Sequence, residues 1–86
     1  MAWADKPTDA QINALYSWVR WHIPTKKAQD AVKWLAENSD RRAVSYEMKR
    51  IRELYMSHKL NEEECFKSSV WDDCPIKDVD YSAEEK

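Results

Sequence analysis

Glycine is absent from this sequence of 86 residues. Its absence excludes the Gly-rich loops in which nucleotide-binding proteins hold phosphate groups, and the hairpin turns that need Asn-Gly or Gly-X. Proline is also scarce, and Pro7, Pro24 and Pro75 interrupt no long periodic run, so they mark the boundaries of helical segments. The sequence therefore predicts a compact all-α protein, and a chain of this length is expected to form a single domain.

Long apolar runs and a secretory signal are lacking as well. No stretch approaches the roughly 20 consecutive apolar residues needed to cross a bilayer, charged residues make up 35% of the chain, and the mean hydropathy is -0.87. Residues 1–5 contain no basic stretch followed by an apolar one, so no signal peptide is predicted. We expect a soluble, cytoplasmic protein without a membrane partner, in which Cys65 and Cys74 are reduced thiols.

Patterns that would carry catalysis or metal binding are missing from the sequence. The spacing between Cys65 and Cys74 matches none of the paired Cys-x2-4-Cys signatures of zinc sites, even with His22 and His58 added. Neither cysteine has a histidine at a local spacing that would make it a nucleophile. We therefore expect no enzyme activity, no metal, no other cofactor and no small-molecule substrate.

Helix signals divide the chain clearly. Thr8 is the predicted N-cap of the first helix, because Gln11 follows at the capping-box spacing. The N-caps predicted for the next three helices are Thr25, Ser39 and Asn61. Three principal helices are expected near residues 9–22, 26–38 and 40–59. Apolar spacing places one stripe of each helix in a common core, formed by Ile12, Leu15, Val19, Val32, Leu35, Val44, Met48 and Ile51.

The sequence thus predicts a three-helix body at residues 7–60, a short fourth helix within 61–70, and an acidic, largely extended segment at 71–86. Charge is unevenly divided, because residues 1–61 carry 11 Lys/Arg against 7 Asp/Glu, whereas residues 62–86 carry 3 against 9. Two interpretations stay open: the acidic segment meets a charged partner, or it folds back on the basic body. We expect the last five residues to be mobile.

Two runs of residues carry a family resemblance. The opening pattern is Thr8-x-x-Gln11-x-x-x-Leu15, and a second run follows about thirty residues later, from Ser39 to Met48, with Ser39 where the related domains usually have Thr. The pattern resembles small helical domains of phage and mobile-element proteins, which are sometimes appended to recombination or single-strand-annealing proteins. The resemblance covers roughly residues 7–60, and it implies a phage or mobile-element context close to proteins that handle nucleic acid.

Five tryptophans are the most unusual part of the composition. At about 100° per residue, Trp18, Trp21 and Trp34 point away from the apolar stripes of their helices. In one interpretation the segment after residue 61 folds over them and makes a second small core. In the other they form a docking surface for a protein partner. The acids expected to lie outward and meet basic groups on that partner are Asp72, Asp73, Asp78 and Asp80.

The third predicted helix carries a basic ridge beside its apolar stripe. Its members fall within an arc of about 100° and include the candidate nucleic-acid contacts Arg41, Arg42, Lys49, Arg52 and Lys59. A ridge of this kind could contact phosphates. The other interpretation is a solvated face neutralised by Asp40, Glu47, Glu53 and the acidic segment, and the sequence pI of about 5.6 favours it.

Together these features predict a small non-enzymatic interaction protein from a phage or mobile element, whose partner is a protein that handles nucleic acid. Anti-defence inhibitors, including anti-CRISPR proteins, are one class of such proteins. The alternative is a helical domain that binds DNA or RNA directly through the basic ridge. A third hypothesis is an accessory module that only self-associates.

Overall fold

A computed structural model of the chain describes residues 6–81. Its principal helices are α1 (Asp9–Arg20), α2 (Thr25–Asn38) and α3 (Arg41–Met56), followed by the single turn α4 (Glu62–Cys65). Two short 3₁₀ turns complete it, at Ser69–Trp71 and Pro75–Asp78. Between residues 6 and 81 there is no β-strand, which confirms the all-α prediction. In the same range, no helix has the length and apolar character needed to cross a membrane.

The start of α1 is the predicted capping box. The Gln11 amide donates to Thr8 Oγ1 at 3.1 Å, and the Thr8 amide donates to Gln11 Oε1 at 3.0 Å. Two backbone donors that the helix cannot satisfy internally are thereby paired. The helix ends at Arg20, two residues earlier than predicted, and the amides of His22 and Ile23 both donate to the Val19 carbonyl in the turn that follows.

Two of the predicted caps are wrong by one residue. Pro24, not Thr25, occupies the N-cap position of α2, and no side chain caps this end. Thr25 is already helical, because the fixed φ of Pro24 lets the chain enter the helix directly after it. At α3 the cap is Asp40 rather than Ser39, since the Asp40 carboxylate accepts from the Ala43 amide at 2.8 Å. The predicted cap Asn61 is confirmed, because it accepts from the Glu64 amide at 2.9 Å.

Helix α3 ends at Met56 rather than near residue 59, and a Schellman motif closes it. The amide of Lys59 donates to the Leu54 carbonyl at 2.9 Å, and the amide of His58 donates to the Tyr55 carbonyl at 3.2 Å. His58 therefore adopts a left-handed φ of 60°. Glycine normally takes this position; in a chain without glycine, histidine takes it at some cost in backbone strain.

The core lies where α1 packs against both α2 and α3. Six of the eight predicted core residues are fully or almost fully buried, and Ile12 and Met48 are half-buried against them. The fully buried residues are Leu15, Val19, Val32, Leu35, Val44 and Ile51. On α2, Ala28 and Ala31 are also buried, and such small side chains let helix backbones approach closely.

The C-terminal segment folds onto this core. Trp71, Cys74 and Tyr81 are buried, and the second 3₁₀ turn packs against α2. The described part of the segment is therefore turned rather than simply extended, because its buried side chains are separated by short 3₁₀ turns. Trp71 and Cys74 join the same apolar cluster as the helices instead of making a second core. The last five residues, predicted to be mobile, lie outside the described part of the chain.

Candidate interaction surfaces

An exposed apolar patch occupies the end of the bundle where α1 and α3 finish. Trp21 is 67% exposed and Met56 is 66% exposed, and both line a cleft of about 380 Å³. The other lining residues are His22, Tyr55 and His58. We call these five residues the end patch. Large apolar side chains that are exposed along one cleft are a feature of interaction sites.

The two helix ends hold the end patch in place. Trp21 is the C-cap of α1, and His22 follows it in the turn before Pro24. The ring of His22 contacts the ring of Tyr55 edge-on, with centroids 5.7 Å apart. His58 reaches the cleft because the Schellman motif turns the backbone there. On the α1 side, the Arg20 guanidinium lies 6.0 Å from the centre of the Trp21 ring, within the range of a cation–π contact.

Of the three tryptophans predicted to anchor a partner, Trp21 is the exposed one. Trp18 and Trp34 are half-buried and pack against the core. Met56 and Tyr55 were not predicted as part of a site. Helical angles could have indicated Met56, because at about 100° per residue it lies in the middle of the arc that holds the basic ridge.

The four acids predicted to face a partner are all exposed. Asp78 and Asp80 line a groove of about 490 Å³, together with Pro24, Lys77 and Tyr81. We call this the acidic groove. Its floor contains Lys27, which is 4% exposed and whose Nζ lies 3.0 Å from Glu62 Oε1. Asp72 and Asp73 lie in the turn between the two 3₁₀ turns.

The end patch and the acidic groove lie on either side of one short connection. Trp21 and His22 line the cleft of the end patch, and Pro24, two residues further on, lines the acidic groove. An apolar surface and an acidic surface therefore adjoin at the turn between α1 and α2.

The basic ridge is present on α3, but it is shorter than predicted. Its helical members, which we call the basic face, are exposed: Arg41, Arg42, Lys49 and Arg52. Lys59 is not part of the helical face, because the Schellman motif ends α3 before it. Arg41 Nε donates to the Lys6 carbonyl at 3.3 Å. Within residues 6–81, the other three cations of the face make no hydrogen bond or ion pair.

The three acids on or beside α3 that were expected to neutralise the ridge differ in their placement. The Asp40 carboxylate caps α3. Glu47 is fully buried on the opposite side of the helix, where it forms an ion pair with Arg50 at 2.6 Å and accepts a hydrogen bond from Trp71 Nε1. Burial opposes the charge of Arg50, but the hydrogen bond with Glu47 and its negative charge raise the guanidinium pKa. Asp40 and Glu53 are both exposed, and Glu53 follows Lys49 by four residues on the helix.

Both cysteines are free thiols and both are buried. Burial first, and then the nearby Glu47 carboxylate, raise the pKa of the Cys65 thiol to about 12. A thiol with this pKa stays protonated at neutral pH and is a poor nucleophile. In the part of the chain that the structure covers, no three His, Cys, Asp or Glu side chains are grouped so as to hold a metal ion.

Comparison with known proteins finds no matching family model, no similar curated protein and no similar solved structure. The resemblance to helical domains of phage and mobile-element proteins therefore stays a prediction.

Proposed function

We propose that this chain is a small non-enzymatic protein-binding module that docks through the end patch. The observation that carries the proposal is the pair formed by Trp21 and Met56, each about two-thirds exposed beside one cleft. Covering both side chains would remove on the order of 250 Å² of apolar surface from water, worth about 6 kcal/mol before the entropic costs of binding. An exposed Trp of this kind is a typical anchor of a protein interface.

The proposed partner is a protein that handles nucleic acid. Such proteins carry basic surface around their nucleic-acid sites, and the acidic groove beside the end patch complements it. Asp78 and Asp80 would meet basic side chains of the partner while Trp21 enters an apolar pocket. A phage or mobile-element origin, with inhibition of a defence system as one form of the function, stays a prediction of the resemblance alone.

The test compares two variants in affinity purification from the native host. Trp21→Ala removes the anchor, and Tyr46→Ala removes an aromatic ring that is equally exposed, at 65%, but lies outside the end patch. We expect a nucleic-acid-binding protein to co-purify with the wild type and with Tyr46→Ala, and to be lost with Trp21→Ala. The interaction is then measured with the purified partner by calorimetry, where Trp21→Ala should weaken it by at least 10-fold.

Two results would contradict the proposal. One is a partner that binds wild type and Trp21→Ala equally well. The other is a wild-type dimer in light scattering that Trp21→Ala converts to a monomer, because the end patch would then be covered by a second copy of the chain.

A further inference from the structure

The basic face of α3 is a second surface that docking through the end patch does not use. Arg42, Lys49 and Arg52 are exposed, and within the described residues none of them is paired with an acid. Lys49 and Arg52 are three residues apart on one helix face and repel one another, and Glu53 is the one exposed acid that lies beside them within α3. A ligand that supplies negative charge at this face would relieve the repulsion.

The overall acidity of the chain does not neutralise this face. The formal net charge is -2, but the segment that carries Asp72, Asp73, Asp78 and Asp80 packs against α2, and α4 contacts the opposite side of α3 through Arg50. Arg50 Nη1 donates to the Glu64 carbonyl at 3.0 Å, which places the acidic turn α4 on the buried side of the helix. The exposed side of α3 therefore keeps a local positive charge.

The dimensions of the basic face suit a phosphodiester backbone. At a rise of 1.5 Å per residue, the eleven steps from Arg41 to Arg52 span about 16 Å along the helix axis. One strand of B-DNA places a phosphate about every 3.4 Å of axis, so the face is as long as about five nucleotides. An α-helix also fits the width of the major groove, which is about 12 Å.

We infer that the basic face of α3 binds the phosphate backbone of nucleic acid directly, through residues that adjoin the end patch but are not part of it. This function goes beyond protein docking and does not depend on it. Both surfaces lie on or beside α3, so a nucleic acid held by the docked partner could be contacted by the same molecule.

Salt dependence gives the expected size of the effect. Four phosphate contacts predict that the affinity for duplex DNA falls roughly 100-fold between 50 and 200 mM salt, whereas a single remaining contact predicts a fall of about 4-fold. The probes are a 24-base-pair duplex and a 24-nucleotide oligo(dT), each fluorescein-labelled, with binding measured by anisotropy. Tighter binding of the duplex would indicate a helix in a groove, and tighter binding of oligo(dT) would indicate a single strand.

The decisive variant is Arg42→Ala/Lys49→Ala/Arg52→Ala. Its matched control, Lys26→Ala/Lys33→Ala/Lys67→Ala, removes the same charge at three other exposed positions. We expect the first variant to lose at least 10-fold in affinity at 50 mM salt and most of its salt dependence, and the control to lose less than 3-fold. All six positions are exposed, and circular dichroism melts check that both variants fold.

Three outcomes would overturn the inference. They are no binding of either probe by the wild type at 50 mM salt, an equal loss in the two triple variants, and an unchanged salt dependence in the α3 variant. Trp21→Ala separates this inference from the proposed function, because it should abolish protein docking and leave the affinity for both probes within 2-fold. Loss of nucleic-acid binding in Trp21→Ala would show that the two surfaces are one site.

Discussion

Trp71 holds the C-terminal segment on the helical body, and its replacement gives the sharpest test of the packing. Its side chain is fully buried, with the Phe66 ring 5.0 Å away edge-on, and its Nε1 donates to the buried carboxylate of Glu47. Two separable contributions are involved: the apolar volume of the indole and the hydrogen bond to a charged acceptor. Trp71→Phe removes chiefly the hydrogen bond, whereas Trp71→Ala removes both.

The magnitudes follow from the burial. Deleting a buried Trp to Ala costs about 3–5 kcal/mol, and losing a hydrogen bond to a buried charged group costs about 1.5–3 kcal/mol. At about 0.05–0.15 kcal/mol per residue, a chain of this size has a total stability on the order of 4–13 kcal/mol. We therefore expect Trp71→Phe to remain folded with a lowered urea midpoint, and Trp71→Ala to be close to the unfolding threshold.

The assay is urea unfolding followed by far-ultraviolet circular dichroism, because five tryptophans would complicate fluorescence. A double-mutant cycle with Glu47→Gln isolates the contribution of the acceptor's negative charge to this hydrogen bond, because the amide oxygen of Gln can still accept. The coupling between Trp71→Phe and Glu47→Gln should exceed about 0.5 kcal/mol, the lower limit for residues in contact. Trp21→Ala serves as the control, because the replacement of this exposed tryptophan should lower the free energy of unfolding only slightly. A loss below about 1 kcal/mol for Trp71→Ala would refute the burial of the segment.

Two further predictions concern single side chains. Burial raises the pKa of the Cys65 thiol from its ordinary value of 9.0 to about 12, so the stability that the protonated thiol contributes is complete below pH 9 and is lost as the pH rises towards 12. The free energy of unfolding, measured from pH 8 to 11, should therefore fall more steeply in the wild type than in Cys65→Ala. Parallel curves for the two proteins would contradict the raised pKa. His58→Gly should raise the free energy of unfolding by up to about 1 kcal/mol, because glycine adopts the left-handed φ without steric cost; an unfolding midpoint lower than that of the wild type would show that the His58 side chain stabilises the end patch.

Local patterns predicted the helical body because the signals that start each helix and orient it come from residues close together in the sequence. The capping box joins Thr8 to a residue three positions later, and the apolar stripe joins Val44 to Ile51 within the same helix. Errors at Thr25 and Ser39 are one-residue errors, made where Pro24 and Asp40 compete for the same role. Cap chemistry alone does not decide between adjacent candidates.

Buried charges could not be predicted, because their partners lie far away in the sequence. Lys27 is buried under the chain near Lys77, whose carbonyl accepts from its Nζ at 3.1 Å. Glu47 meets Trp71, 24 residues later. The periodic pattern of a helix does not show whether a distant segment will cover one of its charged residues. Glu47 was therefore predicted to lie on the solvated face.

The composition of the chain is therefore a poor guide to the charge of any one surface. Asp40 is held as a cap and Glu47 is paired in the core. The described acids after residue 61 lie on segments that pack against α2 or on the buried side of α3. Because Glu47 and the described acids after residue 61 lie away from Arg42, Lys49 and Arg52, a chain with a net charge of -2 presents one helix face that is positive. A low pI counts against nucleic-acid binding only when the acids and the bases share a surface.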